Sequence, residues 1–143
     1  MKDSITLQLV MQMEQFQTAV TTRLIEQLHA DGHETINSGL LSFLSQLDCG
    51  VNQASQVAKN IGVSRQMVSK TVKQLCAMGY LEQTPGFQKQ KQIEFTLKGE
   101  QLMSSCRKYL ADMDDLILKD GNSLNEKNLV SVLEELTRPL VKN

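Results

Sequence analysis

Hydrophobic side chains recur with the period of an α-helix over most of this chain, and one segment departs from that period. In the first third they follow one another at steps of three or four residues, which places them on one face of a long helix. These residues are Leu9, Met13, Phe16, Val20, Leu24 and Leu28. Residues 80–84 and 92–96 instead alternate β-forming and polar side chains, which favours two short strands. The pattern predicts a mainly α-helical protein (α+β class) with one small β-hairpin.

Glycines and capping residues divide the first half of the chain into helices. The first helix is expected to end near Asp31–Gly32, and a second, leucine-rich helix to end at residues 48–50. Asn52 is predicted to cap a short third helix that Gly62 stops. Ser64 then follows at once as the cap of a fourth helix. Two short capped helices that meet across a glycine are typical of a helix-turn-helix.

The last third of the chain returns to the helical period. A wide apolar stripe over residues 102–117 predicts a long helix that ends at Asp120–Gly121. Ser123 and Glu126 have the spacing of a capping box for a final helix, whose end Pro139 marks. Wide apolar stripes at both ends of the chain exceed what one small lobe can cover, so we expect two copies to pair and bury them.

These elements predict the organisation of the chain, whose 143 residues match one ordinary domain. Residues 37–98 are expected to form a winged helix-turn-helix lobe. Residues 1–31 and 99–143 are expected to form a helical dimerisation region.

Charge is distributed unevenly along the chain although the net charge is only -1. Residues 52–98 carry seven basic and two acidic side chains, a net charge of +5. The segments before and after them, residues 1–51 and 99–143, carry net charges of -4 and -2. A basic centre between acidic ends indicates a lobe that contacts nucleic acid on a scaffold that does not.

The fourth helix has the side chains that a DNA-reading helix needs. With Val68, Val72 and Leu75 turned inward, the opposite face is expected to be polar and cationic, without an acid. In a major groove Gln can pair with adenine and Lys or Arg with guanine, while Ser, Lys and the helix N-terminus hold phosphates. The predicted DNA-contacting residues of this helix are Ser64, Arg65, Gln66, Ser69, Lys70 and Lys73. Lys89 and Lys91 at the hairpin tip, after the Pro85–Gly86 turn, are predicted to reach the minor groove or the flanking backbone.

Three segments of the chain resemble the MarR family of winged helix-turn-helix regulators. They are Val63–Lys70, with the sequence VSRQMVSK, Leu75–Glu82, and Phe95–Gly99, which is similar to the Leu-Thr-x-x-Gly signature that follows the wing. The resemblance covers nearly the whole chain. It implies a homodimer on a pseudo-palindromic operator and a regulator, in most cases a repressor, that a small ligand or an oxidant often releases.

The hairpin tip departs from that family pattern. The acidic residue followed by Arg that is usual there is absent, and the tip is short and lacks Arg. A rival interpretation therefore stays open, in which the chain is a winged-helix protein-interaction module or anti-regulator that does not read DNA.

Other kinds of site have weaker support in the sequence. His29 and His33 are separated by four residues, but Gly32 breaks the helix that such metal-binding spacing needs, so a polar linker and no metal are predicted. Cys49 is placed at a helix end, and Cys76 and Cys106 are interpreted as small buried hydrophobic residues. Four methionines could line an effector pocket, but helical spacing is more typical of core packing; they are Met11, Met13, Met103 and Met113.

No catalytic set or phosphate-binding glycine loop is recognised in the sequence, so neither an enzyme nor a cofactor is expected. No apolar run approaches the roughly 20 residues of a membrane span. The odd number of cysteines, three, favours a reducing compartment, and a cytoplasmic protein is expected.

Overall fold

The computed structural model describes residues 3–85, 91–119 and 126–141. Six α-helices and one antiparallel hairpin account for most of them, which confirms the predicted mainly α-helical class. In chain order the elements are α1 (Ile5–Ala30), α2 (Ser38–Asp48), α3 (Ala54–Ile61), α4 (Arg65–Ala77), β1 (Leu81–Pro85), β2 (Lys91–Phe95), α5 (Leu97–Leu118) and α6 (Glu126–Val141). The chain divides into two compact units, Met1–Tyr109 and Leu110–Asn143, with the boundary inside α5.

Side-chain caps fix where three of the helices begin. The Ser4 hydroxyl accepts a hydrogen bond from the Leu7 N–H at 3.2 Å at the start of α1. Asn37 Oδ1 accepts one from the Leu40 N–H at 2.9 Å at the start of α2. The Ser64 hydroxyl does the same for α4, as predicted. Each bond satisfies a backbone donor that has no partner within its own helix.

The predicted cap of α3 is wrong by one residue. Gln53, not Asn52, is the N-cap residue, and its side chain makes no capping hydrogen bond. The backbone explains the difference, because the Asn52 carbonyl accepts a hydrogen bond from the Ile93 N–H of β2 at 3.3 Å. Asn52 therefore pairs with the hairpin, and the helix begins only after it.

The core of the first unit lies among α1, α2, α3, α4, the hairpin and the first part of α5. Residues of this core that are at most 2% exposed include Leu28, Ile36, Phe43, Leu44, Val57, Val68, Val72, Leu75, Tyr80, Leu81, Leu102 and Cys106. Full burial of such a side chain stabilises the fold by about 1.5–3 kcal/mol. Only the C-terminal end of the apolar stripe predicted for α1 packs into this core. Leu24 and Leu28 are buried, whereas Met13 and Phe16 are 49% and 58% exposed.

The hairpin is displaced by one residue from the predicted strands. It pairs Leu81 with Phe95 and Pro85 with Lys91 in antiparallel register. Leu81 and Ile93 are buried at 2% and 4% exposure. The predicted turn at Gly86 and the predicted contact residue Lys89 lie outside the described residues.

In the second unit, α6 presents a large apolar surface. Its exposed apolar residues are Leu129, Val130, Val132, Leu133, Leu136, Leu140 and Val141. The helix continues two residues past Pro139, which was predicted to mark its end. The predicted helix end at Asp120–Gly121 and the predicted cap Ser123 lie outside the described residues. Within the described part of the chain, no helix is long and apolar enough to cross a membrane.

Candidate nucleic-acid interface

Helix α4 packs against the core through three apolar residues of the predicted inward face. Val68, Val72 and Leu75 are at most 1% exposed. Every predicted contact residue of this helix and its cap is exposed to solvent: Ser64, Arg65, Gln66, Ser69, Lys70 and Lys73. The helix contains no Asp or Glu between Arg65 and Ala77. The outward face of α4 is thus polar and cationic, and no other described element of the first unit covers it.

The turn between α3 and α4 sets the direction in which α4 leaves the core. Gly62 has φ +72°, the left-handed conformation that glycine adopts without strain. The Val63 N–H donates to the Ala58 carbonyl at 3.0 Å and closes the end of α3. Ala58 is only 5% exposed, so its small side chain permits close contact at the crossing of the two helices.

In the N-terminal turn of α4 both backbone groups of Met67 are hydrogen-bonded to side-chain hydroxyl groups. Its N–H donates to the Ser64 hydroxyl at 3.1 Å, and its carbonyl accepts from the Thr71 hydroxyl at 3.0 Å. In helix-turn-helix proteins the N-terminal residues of the second helix contact base edges. Side chains on this turn are therefore presented from a capped helical backbone.

Charge is segregated between the two faces of the hairpin. Glu82 and Glu94 stand opposite each other on one face. Because side chains alternate along a strand, Gln83, Ile93 and Lys91 share the other face. Ile93 is buried, so this second face is the one turned toward the helices. The hairpin thus brings Lys91 to the helical side and keeps both of its acids on the opposite side.

A cavity of about 230 Å³ lies where this hairpin face meets the starts of α3 and α4. Its lining residues are Gln53, Ala54, Ser55, Arg65, Gln83, Lys91 and Ile93. Arg65 and Lys91, both predicted contact residues, are brought together here. Gln53, Ser55 and Gln83 were not predicted, because their place depends on the register of the hairpin against α3, which no local pattern in the sequence reveals.

The base of the hairpin is fixed to α5 by Thr96. Its hydroxyl donates to the Gly79 carbonyl and accepts from the Gly99 N–H at 3.1 Å, and its own N–H donates to the Tyr80 carbonyl at 3.1 Å. Lys98 Nζ donates to the Met78 carbonyl at 2.9 Å and lies 4.5 Å from the centre of the Tyr80 ring. These contacts hold the hairpin in a fixed place relative to α4.

The two histidines tie the segment after α1 to the rest of the first unit. His29 lies in the last turn of α1 rather than in the linker, and its Nε2–H donates a hydrogen bond of 2.8 Å to the Ile36 carbonyl. His33 Nδ1 and the Tyr80 hydroxyl share one of 2.7 Å. Burial and, secondarily, the charge of Lys98 lower the pKa of His33, while Asp31 opposes them. Among the described residues, no three His, Cys, Asp or Glu side chains group as a metal site would require.

The cysteines differ in exposure. Cys106 is buried, as predicted, and burial raises the pKa of its thiol to about 11. Cys76 is half-buried rather than fully buried, and Cys49 is exposed at the end of α2. The methionines divide as well: Met103 and Met113 are buried as core residues, whereas Met11 and Met13 are about half exposed in the single chain.

No family model and no curated protein matches the sequence. Solved structures do match the fold. The apo form of wild-type MarR from E. coli aligns with a TM-score of 0.62 at 17% identity, covering 94% of this chain and 97% of that one. A MarR/EmrR family transcriptional regulator from Acinetobacter sp. ADP1 aligns with a TM-score of 0.71 at 16% identity, covering 96% and 97%.

A mutant MarR from E. coli, solved in complex with operator DNA, aligns with a TM-score of 0.67 at 18% identity, covering 96% of this chain and 95% of that one. All three alignments cover at least 94% of both chains. The chain therefore has the winged helix-turn-helix fold of the MarR-family transcriptional regulators.

Proposed function

We propose that this chain is a MarR-family regulator that binds double-stranded DNA in a sequence-specific manner as a homodimer. The observation that carries the proposal is the exposed, acid-free and cationic outward face of α4, fixed at its N-terminus by Ser64 and flanked by Lys91 of the hairpin. A major groove of B-DNA admits one helix, and a cationic helix face without acids meets no repulsion from the phosphates that border it. The match in fold to a regulator solved with operator DNA supports the same conclusion.

Two residues on the middle of that face are proposed to read bases. Gln66 and Lys70 are separated by four residues, so they lie one above the other on the outward side of α4. Gln can form two hydrogen bonds with adenine, and Lys can donate to the O6 and N7 acceptors of guanine. Each such contact discriminates against a wrong base by about 1–3 kcal/mol.

Other residues are proposed to hold the phosphate backbone. Arg65 and Lys91 border the cavity beside the first residues of α3, and Lys73 lies further along α4. Ser64 and Ser69 add hydroxyl donors at the edge of the same face. Lys89 is proposed on sequence grounds alone as a further contact. Phosphate contacts set the position of the protein on the duplex but carry no sequence information themselves.

The homodimer is proposed because both units leave apolar side chains on the surface. On α1, Ile5 and Phe16 are 68% and 58% exposed. On α6, Leu140 and Val130 are 78% and 59% exposed. Apolar surface of this extent marks an interaction site, and a second copy of the chain would cover both helices by two-fold symmetry. A two-fold dimer then presents two α4 helices about 34 Å apart, which is one turn of DNA.

The regulatory outcome follows from the proposed mode of binding. A dimer seated on an operator blocks other proteins from that stretch of duplex, so repression is the expected effect. Release by a small ligand is proposed as the means of control.

Replacement of the base-reading residues tests the proposal. The preferred duplex is first selected from a random pool, and its affinity is then compared with that of a scrambled duplex. Gln66→Ala and Lys70→Ala are each expected to reduce the ratio of the two affinities by about 5- to 150-fold. Lys108→Ala, which removes an exposed cation of α5, serves as the matched control and is expected to leave the ratio unchanged.

Two results would contradict the proposal. If both variants keep the full preference for the selected duplex, the reading surface lies elsewhere. If the purified chain sediments as a monomer at micromolar concentration, the homodimer is wrong. Equilibrium sedimentation of the wild type and of Leu133→Asp, which places a charge on α6, measures this second point directly.

A further inference from the structure

The N-terminal turn of α4 carries one residue that the proposed DNA contacts leave unexplained. Met67 is 51% exposed, although its neighbours on the outward side of the helix are polar or cationic. Val63, in the turn just before the helix, is also 39% exposed. Removal of apolar side-chain surface from water is favourable, so an apolar group of the DNA that covers Met67 would strengthen binding.

The geometry places Met67 beside the residues proposed to read bases. It precedes Lys70 by three residues, so the two side chains are neighbours on the helix surface. Side chains of a helix lean toward its N-terminus, and Met67 therefore covers the first turn, the part of the helix that enters a major groove. The hydrogen bonds of its N–H to Ser64 and of its carbonyl to Thr71 place its backbone in the capped first turn, while its side chain stays free to change rotamer.

The edges of the bases offer one apolar partner in the major groove. Thymine carries a C5-methyl group there, whereas the other exposed groups are hydrogen-bond donors or acceptors. Methionine is unbranched and polarisable, so it can adapt its rotamers to the methyl group. On the basis of the proposed function, we infer that Met67 is a specificity-determining residue that contacts the C5-methyl group of a thymine in the operator.

The spacing on the helix also limits where that thymine lies. Side chains three residues apart on a helix are separated by about 5–6 Å between Cβ atoms. Successive base pairs are separated by about 3.4 Å along the duplex. The thymine contacted by Met67 thus lies within about two base steps of the guanine contacted by Lys70.

Deoxyuridine substitution tests the contact, because deoxyuridine differs from thymidine only in lacking the C5-methyl group. Each thymine of the selected duplex is replaced in turn, and Kd is measured by fluorescence anisotropy for the wild type and for Met67→Ala. Loss of one buried methyl contact is expected to weaken wild-type binding about fourfold at the contacted position. The same replacement is expected to leave the Kd of Met67→Ala unchanged.

Two further variants separate the contact from a structural effect. Met67→Gln keeps a side chain of similar length and helix propensity but ends in a polar amide, so it is expected to behave as Met67→Ala does. Leu97→Ala removes an apolar side chain that is 77% exposed at the start of α5, and it is expected to retain the full fourfold methyl effect. Circular dichroism of each variant verifies the helix content.

The outcomes distinguish this inference from the proposed function. If the chain binds a selected duplex but the methyl effect is the same in the wild type and both Met67 variants, the inference is overturned and the proposed function stays intact. The same holds if the chain binds selectively and no thymine shows a methyl effect. Failure of the wild type to select any duplex would overturn both. A methyl effect that only the Met67 variants lose would support both.

Discussion

Replacement of Gly99 by alanine tests the close packing at the base of the hairpin. Gly99 lies in the first turn of α5, against the backbone that follows α4. A Cβ atom at this position would lie 2.2 Å from the Tyr80 carbonyl oxygen and 2.9 Å from Phe95 Cδ1. The first distance is about 1.2 Å shorter than an ordinary van der Waals contact of 3.4 Å.

The structure offers little room for relaxation at this point. The Tyr80 carbonyl already accepts a hydrogen bond from the Thr96 N–H, and the Tyr80 N–H donates to the Leu75 carbonyl at 3.0 Å. The Tyr80 side chain is 1% exposed. Since a backbone atom rather than a flexible side chain must move, the cost is expected at the upper end of the overpacking range, about 3 kcal/mol or more. For a chain of this length that corresponds to a fall in Tm of about 12 °C.

Gly39→Ala is the matched control, because both glycines lie in the first turn of a helix. A Cβ atom at Gly39 would meet Asn37 Oδ1 at 3.5 Å, an ordinary contact. Alanine there is expected to raise the free energy of unfolding by up to about 1 kcal/mol, since it reduces the entropy of the unfolded chain. Urea unfolding followed by circular dichroism measures both variants. Equal free energies of unfolding for Gly99→Ala and Gly39→Ala would refute the reasoning.

The remaining predictions concern side chains of the first unit. The lowered pKa of His33 means that the native state binds fewer protons than the unfolded state near pH 6.5, so stability is expected to fall as the pH drops through that value. In urea titrations His33→Gln should reduce this fall, and an unchanged pH dependence would contradict the assignment. Iodoacetamide is expected to modify exposed Cys49 in the native protein and to reach Cys106, whose pKa is raised to about 11, only on unfolding. Peptide mass analysis with and without urea measures this, and equal rates would be incompatible with the burial of Cys106. Ser64→Ala removes the cap of α4 and is expected to cost about 1 kcal/mol in urea unfolding, whereas a cost near zero would show that the cap contributes little.

Local chemistry made much of the fold predictable. Gly62 ends α3 because it adopts a left-handed backbone conformation, and Ser64 begins α4 because its hydroxyl satisfies a backbone donor. Both effects depend on residues a few positions away, so the sequence alone reveals them. Asn52 shows the limit of such arguments. It is a good capping residue, but its carbonyl pairs with Ile93, 41 positions later, and that pairing moves the helix start to the next residue.

The candidate site was predictable only in part. The outward face of α4 follows from helical period, because burial of Val68 and Leu75 fixes where the other side chains point. The face of the hairpin that carries Lys91 depends on strand register, and a shift of one residue between the strands would move Lys91 to the side of Glu82. The apolar stripe of α1 is visible in the sequence, but the pattern does not reveal which surface packs against it. Phe16, which lies on this stripe, is exposed in the single chain.

The salt dependence of duplex binding tests the central claim most directly. Arg65, Lys73, Lys89 and Lys91 are proposed to contact phosphates, which makes eight such contacts in a dimer. The logarithm of the association constant for random duplex DNA is then expected to fall linearly with the logarithm of the salt concentration, with a slope of about -7. Arg65→Ala together with Lys91→Ala should reduce the slope to about -4. Absence of binding at low salt, or a slope near zero, would contradict the account and favour a winged-helix module that binds proteins.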